Sequence, residues 1–373
     1  MHTNKWLRAG INLSLAVILI VSCEKQGILT TPDSTGPSNK KTTDGLVLQP
    51  QPQPPFKILQ WFNGPNLPLP TISKGGLGRF SMGSFAINGK GYLVAGGLMD
   101  GAGNQTSSTD VLCYDTATRA WSQKASFPGY ARTGLASFAI GNFGYICTGV
   151  GANYSTDTTE NWQYSSTKNH WTLKAPFGGV ARSYGVGVAL QGKGYVGTGA
   201  PRSGGADGGL NDWWQYDPDL DHWTQRTGLT INETRWGAVA FANDVPGGKA
   251  YITTGIQFPY WPGLRDCYEY DPVADHWTRM PDLPDGSPGR TYAVGMSVSQ
   301  GGIIGTGYAG YNYNDFLEFN YTTKTWGKMP AMPGDRFLAQ GFVIGDVIYV
   351  GGGLYGLGDN QKTPKDDFHW LNW

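Results

Sequence analysis

Charge is scarce in this chain. Lys and Arg together number 28 of 373 residues, Asp and Glu another 28, and no basic run breaks the neutral balance. Nucleic acid demands a basic footprint, so that class of partner is set aside. Cysteine is scarcer still. Only Cys113, Cys147 and Cys267 follow residue 23, and they fall in strands of different repeats. An exported chain so built has no disulfide framework, and these thiols read as small buried apolar residues. Three of the five histidines, His170, His222 and His276, each precede a Trp in a separate repeat, too far apart to share a metal. No Ser-His-Asp arrangement, phosphate loop or cofactor motif stands out, so neither catalytic residues, cofactor nor metal is expected. The apolar run at 11–21 is too short to cross a bilayer comfortably.

Glycine (56 residues) and aromatic residues, with 14 Trp and 20 Tyr, are what the chain has in excess. They recur in register. The stretch 131–171 reads as an Arg, an apolar strand, a turn, a strand ending Thr-Gly, a loop, a strand with Trp and Tyr, and a closing Trp. The same string places Arg79, Arg132, Arg182, Arg235, Arg290 and Arg336 at its heads, and Trp61, Trp121, Trp171, Trp223, Trp277 and Trp326 at its ends. A period near fifty residues with four strands per unit predicts an all-β, six-bladed β-propeller of four antiparallel strands per blade over 58–373. Second strands begin GYLV, GYIC, GYVG, AYIT, GIIG and VIYV. Third strands are expected at DVLCYD (110–115), ENWQYS (160–165), DWWQYD (212–217), DCYEYD (266–271), DFLEFN (315–320) and DDFHWL (366–371), each with an aromatic fifth residue. The sixth unit ends at Trp373 without an outer strand. ILQWF at 58–62 matches the outer strands of other units, so the N-terminus is expected to supply it and close the ring. The acidic residue heading most third strands (Asp110, Asp212, Asp266, Asp315, Asp366) is read as a loop cap.

Residues 1–22 read as a signal peptide, with Lys5 and Arg8 before the apolar run. IVSC at 20–23 resembles the bacterial lipobox. That resemblance implies a lipidated Cys23 and an exported protein on the outer membrane, facing the periplasm or the outside. An ordinary signal peptide or a short anchor are the alternatives. Residues 23–57, ending in a Pro-Gln run, are expected to be a disordered, extended tether.

The repeated Tyr, aromatic residue and Trp, with Gly96-Gly97 and Gly351-Gly352 as paired glycines, resemble the kelch family over 58–373. In kelch adaptors of animal cells, Arg at this position lines a peptide-binding mouth. The segment ARSYGV at 181–186 is similar to a turn of the periplasmic N-acetylneuraminate mutarotase, and galactose oxidase shares the wheel. The resemblance implies that the six arginines ring one face together with the long loops. There a guanidinium suits a carboxylate, sulfate or phosphate; the alternative is that each Arg bonds loop carbonyls or an Asp and merely stitches the repeats. The loops add Arg202, Tyr260, Trp261 and Tyr311 as candidate ligand contacts, since rings beside polar groups suit a glycan or peptide. Galactose oxidase chemistry needs a copper site with two His and a Tyr joined to a Cys, which the outer-strand histidines do not offer. Mutarotase chemistry needs a loop Glu beside an Arg, and Asp100, Asp207, Glu233 and Asp335 are the nearest carboxylates. The expected role is therefore a monomeric, membrane-anchored binding module for a glycan or peptide, with an acidic group favoured. A sialate-mutarotase-like enzyme and a structural partner of envelope proteins stand as alternatives.

Overall fold

A strand needs an alternating apolar face, and every repeat supplies one between glycine stops. A computed structural model describes residues 59–68, 78–100, 103–151, 156–202, 208–257, 263–356 and 363–373, all within the unit Lys57–Trp373. The signal peptide, Cys23 and the tether lie outside the described residues. Among the described residues there is no α-helix, only a three-residue 3-10 turn at Ile231–Glu233. Six four-stranded antiparallel sheets make up the body.

The second sheet shows the plan. Ala136–Ile140 pairs with Phe143–Cys147, then Asn161–Ser165, then His170–Lys174, in chain order from inner to outer strand. The same order recurs from inner strands Gly83–Ile87, Val186–Leu190, Val239–Ala242 and Val294–Ser297. The sixth sheet differs in one respect. Gln340–Ile344, Val347–Gly351 and Phe368–Asn372 are followed by Trp61–Asn63, so its outer strand comes from the N-terminal end, with Trp61 opposite Leu371.

That register corrects one sequence expectation. In five sheets the fifth third-strand residue faces the outer Trp: Tyr114, Tyr164, Tyr216, Tyr270 and Phe319. In the sixth the residue opposite Trp61 is the buried Leu371, while Trp370 turns outward to stack on Phe62 at 4.4 Å. The doubled Asp366-Asp367 shifts the alignment by one, and a large apolar side chain of any kind satisfies the site.

Two packing rules join the sheets. The Gly that begins the second strand admits a ring from the preceding inner strand. A Cβ on Gly144 would stand 2.2 Å from Phe85, on Gly194 2.3 Å from Phe138, on Gly302 2.0 Å from Phe241, and on Gly91 2.0 Å from Phe342. The repeated Gly-Tyr is thus a socket for a neighbour's Phe. The outer Trp supplies the second rule. Its indole N–H donates to a carbonyl just past the preceding outer strand: Trp171 to Ala125, Trp223 to Ala175, Trp277 to Thr227, Trp326 to Pro281, Trp61 to Pro330 and Trp121 to Pro65. The series runs through all six sheets and passes from the sixth to the first. Each bond contributes about 1 kcal/mol net, beyond the aromatic area it holds in place.

The three thiols are buried and unpaired, as their positions suggested. Burial pushes Cys147 and Cys267 well above the usual thiol range, which leaves them inert at neutral pH.

If the N-terminal strand completes the sixth sheet energetically as well as geometrically, losing its anchor must weaken the whole body. Trp61→Ala is expected to cost roughly 3 kcal/mol, and deleting residues 59–64 to cost more. Differential scanning calorimetry checks both; an unchanged melting temperature would deny the strand that role.

Candidate functional site

Each second strand ends in two residues at positive φ. Thr148 at 60° and Gly149 at 107° show the pattern, and Thr198-Gly199, Thr254-Gly255 and Thr306-Gly307 repeat it. The glycine amide then donates to the main-chain carbonyl of the next repeat's Arg: Gly96 to Arg132, Gly149 to Arg182, Gly199 to Arg235, Gly255 to Arg290, Gly307 to Arg336, and Gly353 back to Arg79. Two residues after each Arg a second series runs. Gly134 donates to Ser81, Tyr184 to Gly134, Gly237 to Tyr184, Tyr292 to Gly237, Leu338 to Tyr292, and Ser81 to Leu338. All six of these residues have φ between 52° and 64°. They form a collar of main-chain bonds that returns to its first member.

The arginine side chains turn away from that collar. All six are 0–2 % exposed. Each guanidinium meets the acidic residue heading its own third strand: Arg79 with Asp110 at 2.7 Å, Arg235 with Asp266 at 2.7 and 2.8 Å, Arg290 with Asp315 at 2.7 and 2.8 Å, Arg132 with Glu160, Arg182 with Asp212, and Arg336 with Asp367. Arg132, Arg182, Arg235, Arg290 and Arg336 also donate to the carbonyl before the closing Gly. Of the two roles left open for these arginines, the geometry gives the stitching one, within the repeat. An anionic ligand would have to displace a carboxylate from a buried site. The acidic strand heads are correspondingly ion-pair partners rather than loop caps, with Glu160 and Asp367 filling the role in the second and sixth repeats.

The segment after each Arg pairs with the loop between second and third strands. Gly78–Phe80 lies beside Gly97–Met99, Arg132–Thr133 beside Val150–Gly151, and Thr291 bridges Tyr308. The collar and the long loops therefore share one face. On it three half-buried rings converge: Tyr184 and Tyr292, both collar members, and Trp236, which precedes the collar's Gly237. Their centroids lie 5.2 Å (Tyr184–Tyr292), 5.5 Å (Trp236–Tyr292) and 6.2 Å (Tyr184–Trp236) apart. A bulky residue at positive φ costs about 1 kcal/mol or more, and here the main-chain series holds two tyrosines there. Gly237 has no such latitude, since a Cβ would meet Thr291 Oγ1 at 2.2 Å.

A cavity of about 70 Å³ lies within the collar, bounded by Ser81, Tyr184, Tyr292 and Leu338 among others. A larger one of about 350 Å³ shares Leu135, Gly185 and Gln340 with it. The wall of that chamber includes a small residue from each inner strand: Ser84, Ser137, Gly187, Ala240, Gly295 and Gly341. On the loop face, a third of about 450 Å³ is lined by Phe80, Asn104, Gln105, Thr106, Ser107 and Thr133, with glycines.

The remaining expected contacts scatter. Arg202 is exposed, and its amide donates to Asp157. Tyr311 is 61 % exposed and tilts on Tyr313 at 5.0 Å. Tyr260, Trp261, Asp207 and Cys23 lie outside the described residues. Asp100 accepts from the Asn104 amide and side chain, and Glu233 accepts from the Thr230 amide. No group of three or more metal-ligating residues occurs among the described residues. The residues that sequence reasoning passed over are Tyr184, Trp236 and Tyr292. Tyr184 and Tyr292 stand in one repeat-aligned column, two after Arg, that runs Ser, Gly, Tyr, Gly, Tyr, Leu, and Trp236 stands in the column before it.

No protein-family model matches the chain. A kelch-like protein, terF of Aspergillus terreus, is 28 % identical over 121 residues, which cover 29 % of this chain. The match spans about a quarter (26 %) of that relative's length. Among solved structures, that of YjhT aligns with a TM-score of 0.63 at 16 % identity, covering 82 % of this chain and 96 % of the other. With the six four-stranded sheets, these likenesses support a kelch-repeat propeller.

The ion pairs set an acid dependence. Burial works to raise the Asp367 carboxyl, but hydrogen bonds from His369 and Arg336 and the Arg336 charge outweigh it and hold it well below the ordinary range. Glu160 is likewise lowered against its burial, by bonds from Trp162 and Arg132. A depressed carboxylate lends stability that is complete above its unfolded value, about 4, and is lost as pH falls toward the folded one. Denaturant titrations should show stability falling progressively below about pH 4, with a shallower fall in Asp367→Asn. At neutral pH and without ligand, Arg182→Leu should cost about 3–5 kcal/mol, because Asp212 is left without its partner.

Proposed function

We propose that the protein is a ligand-binding module whose loop face takes a saccharide by stacking it on Tyr184, Trp236 and Tyr292. One observation carries this reading: three aromatic rings gather over the collar, two of them held at a backbone conformation that costs free energy. Strain retained where glycine would relieve it points to a use for the side chain. The apolar faces of a sugar ring suit such a floor. The six repeated arginines do not serve an acidic group on the ligand in this reading, because each guanidinium is engaged with Asp or Glu and with main-chain oxygens. A mutarotase-like reaction would need an available Arg beside a loop carboxylate, and no observation favours it.

The scaffold of this reading is a single six-bladed ring, closed where Trp61–Asn63 joins the sixth sheet. Three hydrogen-bond series that each return to the first repeat support it. Lipidation of Cys23, with the Pro-rich segment as spacer, would hold the ring at the surface of a bacterial outer membrane. The lipobox-like IVSC is its support.

Two measurements test the proposal. Titration with a panel of mono- and oligosaccharides should quench or shift Trp fluorescence. Tyr184→Ala and Trp236→Ala should weaken binding at least tenfold, or about 1.4 kcal/mol, while the melting temperature stays near that of the parent. Saccharide binding indifferent to both substitutions would sink the stacking site. Separately, Cys23→Ser should move the protein from the membrane to the soluble fraction and abolish incorporation of a fatty-acid label.

A further inference from the structure

The scaffold repeats six times, but its loop face does not. Among the described residues, a connected run of aromatic side chains lies on the third to sixth repeats. From Trp236 and Tyr184 the rings continue through Tyr292 to Phe337 at 6.4 Å, and from Phe337 to Tyr308 at 5.4 Å. Tyr308 is fixed beside the collar, exchanging main-chain bonds of 3.0 and 2.9 Å with Thr291. Its loop then carries Tyr311 outward, 5.0 Å from Tyr313, whose ring lies over the buried Arg290 guanidinium. Trp236, Tyr292 and Tyr308 are half-buried and Tyr311 is largely exposed, while Phe337, which packs between Tyr292 and Tyr308, is buried beneath them. The first and second repeats answer with Ser81 and Gly134 in the collar and, beside them, the 450 Å³ pocket. Among the described residues its lining side chains are Asn, Gln, Thr and Ser over the Phe80 ring, with the Asp100 carboxylate bonded to Asn104.

We propose that the ligand is an oligosaccharide of uncharged sugars, lying along the aromatic line from Tyr184 to Tyr311 and turning its hydroxyls to the amide and hydroxyl side chains of the first repeat. The inference rests on the binding role proposed above and adds the ligand's length and charge. Length follows from the extent of the surface: a single sugar covers the three central rings and leaves the half-buried Tyr308 and the exposed Tyr311 unused, whereas a chain of sugars reaches them. Neutrality follows from the lining, because the six guanidiniums are buried against carboxylates and the pocket holds amides and hydroxyls. These are donors and acceptors in balance, as a polyol requires. A peptide is less well served. An extended peptide gains affinity by bonding main chain to a free strand edge, and the collar's main-chain groups already bond one another.

The experiment titrates the full chain, in detergent, with glucose and with cellulose-type and starch-type gluco-oligosaccharides of increasing length. Uronic-acid oligomers of matched length and an acidic hexapeptide run alongside. Calorimetry and Trp fluorescence give the affinities. The expected result is that one neutral series gains about tenfold or more in affinity between the monomer and the tetramer. Tyr308→Ala and Tyr311→Ala should remove that gain while leaving the monosaccharide's weak binding unchanged. A monosaccharide that binds as tightly as its tetramer, with binding still lost in Tyr184→Ala, would overturn the extended line and spare the central site. Preference for the uronic-acid oligomers would overturn neutrality. Binding of the peptide and of no saccharide would overturn both this inference and the reading it rests on.

Discussion

A guanidinium taken fully out of water must find every partner within reach, and that demand shapes each repeat. The Arg at the head of the inner strand can be buried only because an acidic residue opens the third strand and a carbonyl closes the second. One side chain thus fixes the relative positions of three strands at the loop end. Its main-chain carbonyl does a second task, accepting the amide of the preceding repeat's closing glycine. The side chain ties a repeat to itself and the main chain ties it to its neighbour. Replacing the ion pair with apolar residues of like volume could be neutral for stability, but removing one partner cannot be.

The same constraint explains the backbone strain. For the glycine amide to reach the next Arg, the chain must leave the second strand abruptly through two residues at positive φ. Glycine takes the second of these at no steric cost. Thr148, Thr198, Thr254 and Thr306 take the first, each at φ near 60°. The collar residues obey the same geometry whatever their side chain, so Gly134 and Tyr184 adopt nearly one conformation, at 64° and 55°. The hydrogen-bonded series, shared by six repeats, over-determines what any single residue would resist.

Much of this was legible in the sequence, for reasons that are themselves physical. Glycine beside Tyr marked each second strand because a neighbour's Phe needs the space a Cβ would fill. Trp marked each outer strand because only its indole reaches the carbonyl past the preceding one. The N-terminal strand could be placed in the sixth sheet because Trp61 carries the same requirement. The third strand of the sixth repeat was misaligned because Asp366 and Asp367 are alike in sequence, and only the reach of Arg336 distinguishes them. The role of the arginines stayed open for a similar reason. A cation at a strand head suits a ligand carboxylate or a neighbouring Asp equally well, and burial decides between them. The aromatic floor went unseen because Tyr184 and Tyr292 sit two repeats apart in one variable column, Trp236 sits in the column before it, and the three meet only once the sheets are arranged about the collar.

A residue that recurs in every repeat has the same surroundings six times, whereas a ligand of low symmetry touches each repeat differently. Recognition of such a ligand must then be written in the columns that vary. The Arg column is invariant and buried against its acidic partners, and so belongs to the scaffold. The collar column runs from Ser and Gly to Tyr and Leu at constant backbone geometry, so the main-chain series accepts different side chains in different repeats, though not at Gly237, where Thr291 fills the space. That separation lets one face of a repeated scaffold carry rings on one side and amides and hydroxyls on the other. A ligand with two unlike faces would match a distribution of this kind, and the proposed sugar chain, apolar on its ring faces and hydroxylated at its edges, has that character.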